Sequence, residues 1–202
     1  MGRKSTIAND RARQVLAQEA ARIIVDQGIQ DYRTAKIKAA ERLGMKDRGS
    51  LPGNSEIERA VTEHLRIFGR ESHNRFLRTL REAALSAMEK LAAFTPRLVG
   101  PVLHGTAASN STVNLHVFAD NSESVAMMLQ SQNITYRAFE RRLKSRRNRV
   151  QTFAAFRFDF NNLPVEATVF PIDGMRQAPI SPVDGKPMRR ADRKTVRSLL
   201  RG

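Results

Sequence analysis

The sequence predicts an α+β fold, with a helical region of about four helices at residues 1–95 and a region of about five strands at residues 96–202. Before Pro96, apolar residues recur at steps of three and four, which is typical of amphipathic helices. After Pro96, short runs of β-branched and aromatic residues are separated by Gly, Asn, Ser and Pro, which is typical of strands. With 202 residues, of which 41% are hydrophobic, the chain is long enough to bury a core without disulfides.

Four amphipathic helices are expected in the first region, because start or stop signals mark the ends of the apolar stripes. Asp31 is a predicted N-cap of the second helix, and Ser55 with Glu58 forms a predicted capping box at the start of the third. Pro96 prevents the fourth helix from continuing. The second helix carries a face of small residues, which predicts close packing against a neighbour. The predicted ranges are 9–27, 32–43, 55–68 and 71–94.

Five candidate strands follow, namely the segments RLVGPVLHG, STVNLHVFAD, ITYRAFERRL, TFAAFRFDF and VEATVFPI. Between the second and third, the segment SESVAMMLQSQN predicts a crossover helix capped by Ser122. Asn161 and Asn162 predict a tight hairpin turn, because Asn tolerates the positive φ that such turns need. After a loop that begins at Pro171, the segment RADRKTVRSLL predicts a short basic helix with Asp192 near its start.

The charge of the chain indicates a polyanionic partner. The net charge is +15, from 35 Lys and Arg against 20 Asp and Glu. Residues 134–202 hold 16 of those cations against 6 anions, so the surplus is concentrated in the C-terminal third. Such a distribution favours nucleic acid or another anionic surface as the ligand.

Several classes of protein are disfavoured by what the sequence lacks. It contains no cysteine, which excludes a disulfide scaffold and a thiolate metal site. It has neither an apolar signal segment near its start nor a run of about 18 uncharged apolar residues, so we expect a cytoplasmic protein of bacterial type with no membrane segment. No phosphate-binding loop of the Gly-x-x-x-x-Gly-Lys-Ser/Thr type and no Gly-x-Ser-x-Gly elbow is present. His104 and His116 lack the spacing of metal ligands and are expected to serve the core or the surface.

One motif in residues 97–171 suggests a family. Gly100-Pro101 is followed, after a spacer, by Thr112-Val113-Asn114-Leu115 in a predicted strand and then by a helix. This arrangement resembles the DNA-polymerase-β-type nucleotidyltransferase superfamily, whose pattern is Gly-Ser or Gly-Gly, a spacer, Asp-apolar-Asp/Glu-apolar, and a third carboxylate on a later strand. The resemblance implies a mixed sheet and a nucleotide site; the matching positions, to which we add Gly105, are Gly100, Gly105, Thr112 and Asn114.

The sequence departs from that family at the positions that bind metal. Thr112 and Asn114 stand where the family has two carboxylates, and Pro101 stands where it has a phosphate-binding Ser. Only the third carboxylate has a counterpart, which the resemblance places at Glu166. Hard divalent cations select for charged oxygen ligands, so we expect catalysis to be impaired and no metal or cofactor to be bound. In the alternative, a divergent transferase would act on RNA, nucleotide or protein with Mg²⁺ held by Glu166, Asp159 or Asp120.

A basic segment, RRLKSRRNR at residues 141–149, is predicted at the tip of a hairpin and contains six cations. Charges packed so densely repel one another, and phosphate binding is their natural use. We predict largely sequence-independent contacts to the backbone of RNA or DNA. The predicted contact residues are Arg141, Arg142, Lys144, Arg146, Arg147, Arg149, Arg189, Arg190, Arg193 and Lys194.

The N-terminal helices leave two further alternatives. They could form a helical adaptor or dimerisation surface that binds a protein. The segments RTAKIKAAERLGM and SEIERAV also resemble a helix-turn-helix, but the connection between them is longer than the turn of about three to four residues that this motif uses.

Overall fold

The computed structural model describes residues 2–29, 31–45, 51–68, 70–108, 110–145 and 149–201. Within these ranges the chain forms seven α-helices and one five-stranded mixed sheet, so the predicted α+β class is confirmed. The helices are α1 Gly2–Gln27, α2 Tyr32–Arg42, α3 Asn54–Phe68, α4 Arg70–Lys90, α5 Pro101–His104, α6 Ser122–Ser131 and α7 Arg193–Arg201. The strands are β1 Arg97–Val99, β2 Val113–Phe118, β3 Tyr136–Lys144, β4 Val150–Phe160 and β5 Leu163–Phe170. Short 3₁₀ helices lie at Ala92–Phe94 and Ile172–Arg176.

The chain divides into two compact units. The helical unit comprises residues 1–74 with two short segments, 108–110 and 182–184, and the sheet unit comprises residues 75–107, 111–181 and 185–202. The division falls inside α4, whose C-terminal part belongs to the sheet unit. The predicted domain boundary near residue 95 stays a prediction.

The core of the helical unit is built by α1, α2 and α3. Ala35 and Ala39 of α2 are fully buried, as expected for a face of small residues that allows close packing. The predicted N-cap Asp31 is confirmed, because its side chain accepts a hydrogen bond from the Thr34 amide at 2.8 Å. The other buried apolar residues are Leu16, Ala17, Ala20, Ala21, Ile23, Ile57, Val61 and Leu65.

The start of α3 differs from the prediction. The helix begins at Asn54, and Glu56 accepts a hydrogen bond from the Gly53 amide at 2.6 Å. Glu58, the predicted partner of Ser55, instead accepts a hydrogen bond from the Tyr32 hydroxyl. The predicted capping box is therefore wrong, because Glu56 satisfies the free amide at this helix start and Glu58 is drawn to α2.

The sheet has the strand order β1-β2-β5-β4-β3. Strands β2 and β5 are parallel, and the other neighbouring pairs are antiparallel. One face of the sheet packs on α4, α6 and α7 through buried residues that include Leu80, Leu115, Leu129, Val165 and Val196. The opposite face, which we call the polar face, carries Asn114, His116 and Phe118 of β2 and Glu166, Thr168 and Phe170 of β5, because side chains alternate along a strand.

The first candidate strand is shorter than predicted. It ends at Val99, and residues 101–104 form the helical turn α5. Gly100 has φ +74° and ψ −156°, which only glycine adopts readily, so it breaks the strand. Pro101 then begins α5, a position where its missing amide hydrogen does no harm. Short apolar runs such as Val102-Leu103 fit a buried strand and a buried helical turn equally well.

The sheet unit tests two local predictions, a hairpin turn and a helix N-cap, and only the turn is confirmed as predicted. Asn161 and Asn162 have φ of +52° and +59°, as expected for a tight hairpin between β4 and β5. The crossover helix α6 is present, but its N-cap is Asn121, whose side chain accepts from the Ser124 amide at 2.9 Å. The predicted cap Ser122 is therefore wrong by one residue, and Ser122 is the first helical residue.

Asp192 caps α7, and its removal should weaken this helix. Its Oδ1 accepts hydrogen bonds from the Thr195 amide at 2.8 Å and from the Thr195 hydroxyl at 2.7 Å. We expect Asp192→Ala to lower the free energy of unfolding by about 1 kcal/mol, measured by urea denaturation. Asp192→Ser, which retains a capping oxygen, should stay close to the wild type; an equal loss in both variants would contradict the capping role.

Candidate nucleic-acid interface

The motif positions that suggest a nucleotide site meet at the start of β2. A Cβ added at Gly100 would lie 3.4 Å from Asn114 Nδ2, so the two residues are in contact distance. Asn114 Nδ2 donates a hydrogen bond to the Thr112 carbonyl oxygen at 3.2 Å, and Thr112 itself is buried just before the strand. Asn114 also lies directly opposite Glu166 of β5. Gly105 lies at the other end of α5, where a Cβ would approach Leu77 of α4.

The three acidic candidates do not form a metal site. Glu166 is ion-paired to Arg141, and its Oε1 lies 3.7 Å from Arg157 Nη1. Asp159 is exposed and lies opposite Pro164, and Asp120 follows the far end of β2 from Asn114. Among the described residues, no group of three His, Asp or Glu side chains is placed to hold a metal ion. The described part of the structure therefore does not bring the three acidic candidates together, and the transferase alternative stays a prediction.

A half-buried arginine joins the C-terminal segment to the polar face. Arg190 Nε donates to His116 Nδ1 at 3.0 Å, and Arg190 Nη1 donates to the carbonyl oxygens of Gly174 at 2.8 Å and Met175 at 3.2 Å. Its guanidinium carbon lies 5.0 Å from the ring centroid of Phe118 and 4.9 Å from that of Phe170. We call this group the Arg190 clasp. Arg190 was predicted to contact nucleic acid, but its guanidinium is engaged inside the sheet unit.

The clasp depends on a neutral His116. Burial, together with the charges of Arg190 and Arg141, lowers the pKa of His116 from 6.5 to about 3. His116 is only 3% exposed, and its Nδ1 must keep a lone pair to accept from Arg190. Burial also lowers the pKa of Arg190 to about 10, with the Arg97 charge as a second cause, so Arg190 stays protonated at neutral pH. His116 thus belongs to the core, as one of the two roles expected for it.

The buried histidine makes stability depend on pH. Between pH 6.5 and about 3 the unfolded chain binds a proton at His116 that the folded chain does not, so stability falls as pH falls through this window. We expect this one group to remove about 2 to 3 kcal/mol of unfolding free energy by pH 4.5. Urea denaturation at pH 7 and pH 4.5 measures it. His116→Asn keeps an acceptor near the Nδ1 position and cannot titrate, so its loss on acidification should be smaller by that amount; an equal loss in both proteins would contradict the assignment.

Strands β3 and β4 extend beyond the rest of the sheet. Strand β5 pairs with β4 only from Ala155 onward, whereas β3 and β4 continue to pair as far as Lys144 and Val150. We call this extension, residues 140–145 with 149–154, the basic ribbon. Its cations Arg142, Lys144 and Arg149 are exposed, and Val150 is 59% exposed. Arg146 and Arg147, which were also predicted to contact nucleic acid, lie outside the described residues.

The predicted basic cluster is divided between two faces and two edges of the sheet. Arg141 points to the polar face and pairs with Glu166, whereas Arg142 and Lys144 point to the other face because side chains alternate along β3. The exposed tail cations Arg189, Arg193 and Lys194 flank Ala191, which is hydrogen-bonded to Leu98 of β1 at the opposite edge of the sheet from β3. Ala191, which precedes Arg193 and Lys194, is therefore placed at the edge opposite the basic ribbon, whereas the loop before Arg189 contacts the ribbon, because the Ile180 amide donates to the Lys144 carbonyl oxygen at 2.7 Å.

Three arginines of the polar face were not predicted as site residues. Arg97 lies opposite His116, and Arg137 lies opposite Arg157, which in turn lies opposite Glu166. Each is an isolated cation in the sequence, so a search for charge runs passes over it. The alternation of β4 places Arg157 on the polar face, but only the strand order and register place it beside Glu166 and Arg137.

The adaptor and helix-turn-helix alternatives both concern the helical unit. A groove of about 1020 Å³ lies between α1 and α3, with Val15 and Ile67 exposed in its lining. The helix α2 ends at Arg42 and α3 begins at Asn54, and this separation in sequence is longer than the turn of a helix-turn-helix. None of the helices in the described ranges has the length and apolar character needed to cross a bilayer.

Comparison of the chain with protein-family models, with curated proteins and with solved structures gives no match. The resemblance to the nucleotidyltransferase superfamily therefore stays a prediction.

Proposed function

We propose that this protein binds nucleic acid through phosphate contacts of the basic ribbon, on a nucleotidyltransferase-like sheet that has lost its metal ligands. The observation that carries the proposal is the projection of two paired strands beyond the sheet, with Arg142, Lys144 and Arg149 exposed on them. None of these three cations has an ion-pair partner among the described residues.

The basic ribbon is an unfavourable arrangement unless an anion compensates it. The ribbon is held to the rest of the sheet unit by Phe153, whose ring centroid lies 4.5 Å from that of Phe170, and by the Ile180 amide, which donates to the Lys144 carbonyl oxygen at 2.7 Å. Its like charges nevertheless repel one another. A polyanion removes this repulsion and gains from the release of counterions. A two-stranded ribbon is also narrow enough to enter a major groove of DNA, and it can follow a single strand. Because the available contacts come from exposed cations that suit phosphate groups, we infer binding with little sequence preference.

Features of the sheet support the nucleotidyltransferase-like part of the proposal. Strands β2 and β5 are parallel neighbours, and they place Asn114 opposite Glu166, the position proposed for the third carboxylate. Gly100 contacts Asn114 from the preceding turn. Thr112 and Asn114 carry no charge, and Glu166 is ion-paired to Arg141 and Arg157. We therefore propose a binding protein rather than a metal-dependent enzyme.

Fluorescence anisotropy tests the proposal directly. The full chain is titrated into labelled single-stranded RNA, single-stranded DNA and duplex DNA of equal length and of unrelated sequences. We expect binding to at least one of these forms, with affinities that differ little between sequences of the same form. Failure to bind any of them at low salt would overturn the proposal.

A further inference from the structure

The polar face carries a row of polar and charged residues that crosses four strands. In order along the row these are Asn114 of β2, Glu166 of β5, Arg157 of β4 and Arg137 of β3, each directly opposite the next. Arg141 reaches the same carboxylate from further along β3. Three guanidinium groups thus lie on the row or reach it, and one carboxylate lies between two of them. We call these five residues the arginine row.

The charges of the arginine row are not balanced. Arg137 and Arg157 are directly opposite on antiparallel strands, where like charges destabilise the pair. Glu166 can neutralise one of the three cations, and Asp159, two residues along β4, forms no ion pair with them in the part of the chain that the structure describes. Arg141 Nε is buried and has no hydrogen-bond partner among the described residues. A buried, unpaired guanidinium N–H is costly, so an acceptor that reaches Arg141 Nε would stabilise this face.

We propose that the arginine row is a metal-independent phosphate site that Glu166 occupies when no ligand is bound. A phosphate group brings more charge and more acceptor oxygens than one carboxylate, and arginine binds it through paired N–H groups. A phosphate that replaces Glu166 between Arg141 and Arg157 offers an acceptor to Arg141 Nε and reduces the repulsion between Arg157 and Arg137. Glu166 is then a competitor of the ligand, and not a metal ligand.

The phosphate group has two sources, a free nucleotide or polyphosphate and a nucleic-acid strand. The side chains of Arg157 and Arg141 are 54% and 35% exposed, so a phosphate can reach both. Glu166 is 12% exposed, and it lies deeper in the same position. The site shares Arg141 with the basic ribbon but does not depend on the exposed cations Arg142 and Lys144, because these two point to the other face of β3.

Isothermal titration calorimetry of tripolyphosphate and of ATP, both in EDTA, tests the phosphate site. Wild-type protein should bind at least one of them; Glu166→Gln should bind it several-fold tighter, because the competing charge is gone. Arg157→Gln should bind it at least about tenfold weaker, in line with the loss of a charge-assisted contact. Arg176→Gln, an exposed arginine of the 3₁₀ helix after β5, should be unchanged.

The opposite response of Glu166→Gln would overturn the site. Weaker binding in that variant, a requirement for Mg²⁺, or no binding of either compound by the wild type all contradict the proposal. Glu166→Gln leaves three arginines uncompensated, so circular dichroism must establish that this variant folds. If it does not fold, Arg137→Gln replaces it in the test. Arg137→Gln leaves both ion pairs of Glu166 intact, so it should fold, and it should weaken phosphate binding. Equal affinity in Arg137→Gln and wild type would then overturn it.

The basic-ribbon substitutions Arg142→Gln, Lys144→Gln and Arg149→Gln separate this site from the proposed function. They should leave tripolyphosphate binding unchanged while nucleic-acid binding weakens. If tripolyphosphate binding is lost with them, the arginine row is not the site. Competition distinguishes the two sources: displacement of labelled nucleic acid by tripolyphosphate supports a strand phosphate as ligand, and simultaneous binding supports a free nucleotide or polyphosphate.

Discussion

Replacement of Arg142, Lys144 and Arg149 by glutamine is expected to lower the affinity for nucleic acid by about 10²- to 10³-fold at 0.1 M salt, if each of the three contacts one phosphate. The reason is the loss of counterion release, to which each contact contributes nearly one order of magnitude at this salt concentration. These side chains are exposed on the basic ribbon and support no core, so the variant should keep the wild-type fold. Anisotropy titrations at fixed salt measure the change.

A matched control separates the basic ribbon from net charge. Arg33, Lys38 and Arg59 are three exposed cations of α2 and α3, and their replacement by glutamine changes the net charge by the same amount. We expect this control to bind within about threefold of the wild type, because these cations are not part of the basic ribbon and the effect of net charge alone is screened at this ionic strength. If both variants lose the same affinity, the basic ribbon is not the interface.

Loss of the Arg190 clasp should have the largest effect on stability. We expect Arg190→Ala to lower the free energy of unfolding by about 2 to 4 kcal/mol, because buried hydrogen-bonded groups lose their partner. The groups left behind are His116 Nδ1 and the carbonyl oxygens of Gly174 and Met175, and the stacking on Phe118 and Phe170 is lost as well. Urea denaturation at pH 7 measures the difference.

The neighbouring arginine supplies the control for the clasp. Arg189 is exposed and precedes Arg190 directly, so Arg189→Ala should change the unfolding free energy by no more than about 0.5 kcal/mol. Arg190→Lys retains the charge but lacks the planar group that donates to His116 and to two carbonyls at once, so it should not restore stability. Similar stabilities for Arg189→Ala and Arg190→Ala would contradict the clasp.

Most elements of the fold could be predicted because their signals are local. The helical periodicity of α1 to α4, the Asp31 cap and the Asn161-Asn162 turn depend on residues close in sequence, and all are present. The turn α5 was missed because Val102 and Leu103 suit a strand as well as a helix, and the backbone at Gly100 decides between them. The N-cap of α6 was assigned to Ser122 and not to Asn121 because both residue types are good N-caps and the two are adjacent in the sequence.

The candidate site was predicted only where a motif or a charge run marked it. The motif located Asn114 and Glu166, and the sheet places them opposite each other. The Arg190 clasp was not predicted, because it joins residues separated by 74 positions and no local pattern connects them. The arginine row depends on the register of β3, β4 and β5, which the alternation of single strands does not determine. The alternation of side chains along β3 does place the cations of the basic segment on two faces. The prediction missed this because it counted the six cations without assigning each to a face.

The salt dependence of nucleic-acid binding tests the central proposal most directly. The observed association constant is measured by anisotropy from about 50 to 200 mM salt for the wild type and for the variant with glutamine at positions 142, 144 and 149. We predict a steep linear fall of log K with log salt for the wild type, and a slope smaller by about 2 to 3 for the variant on duplex DNA. A slope near zero for the wild type, or equal slopes for the two proteins, would contradict phosphate binding by the basic ribbon.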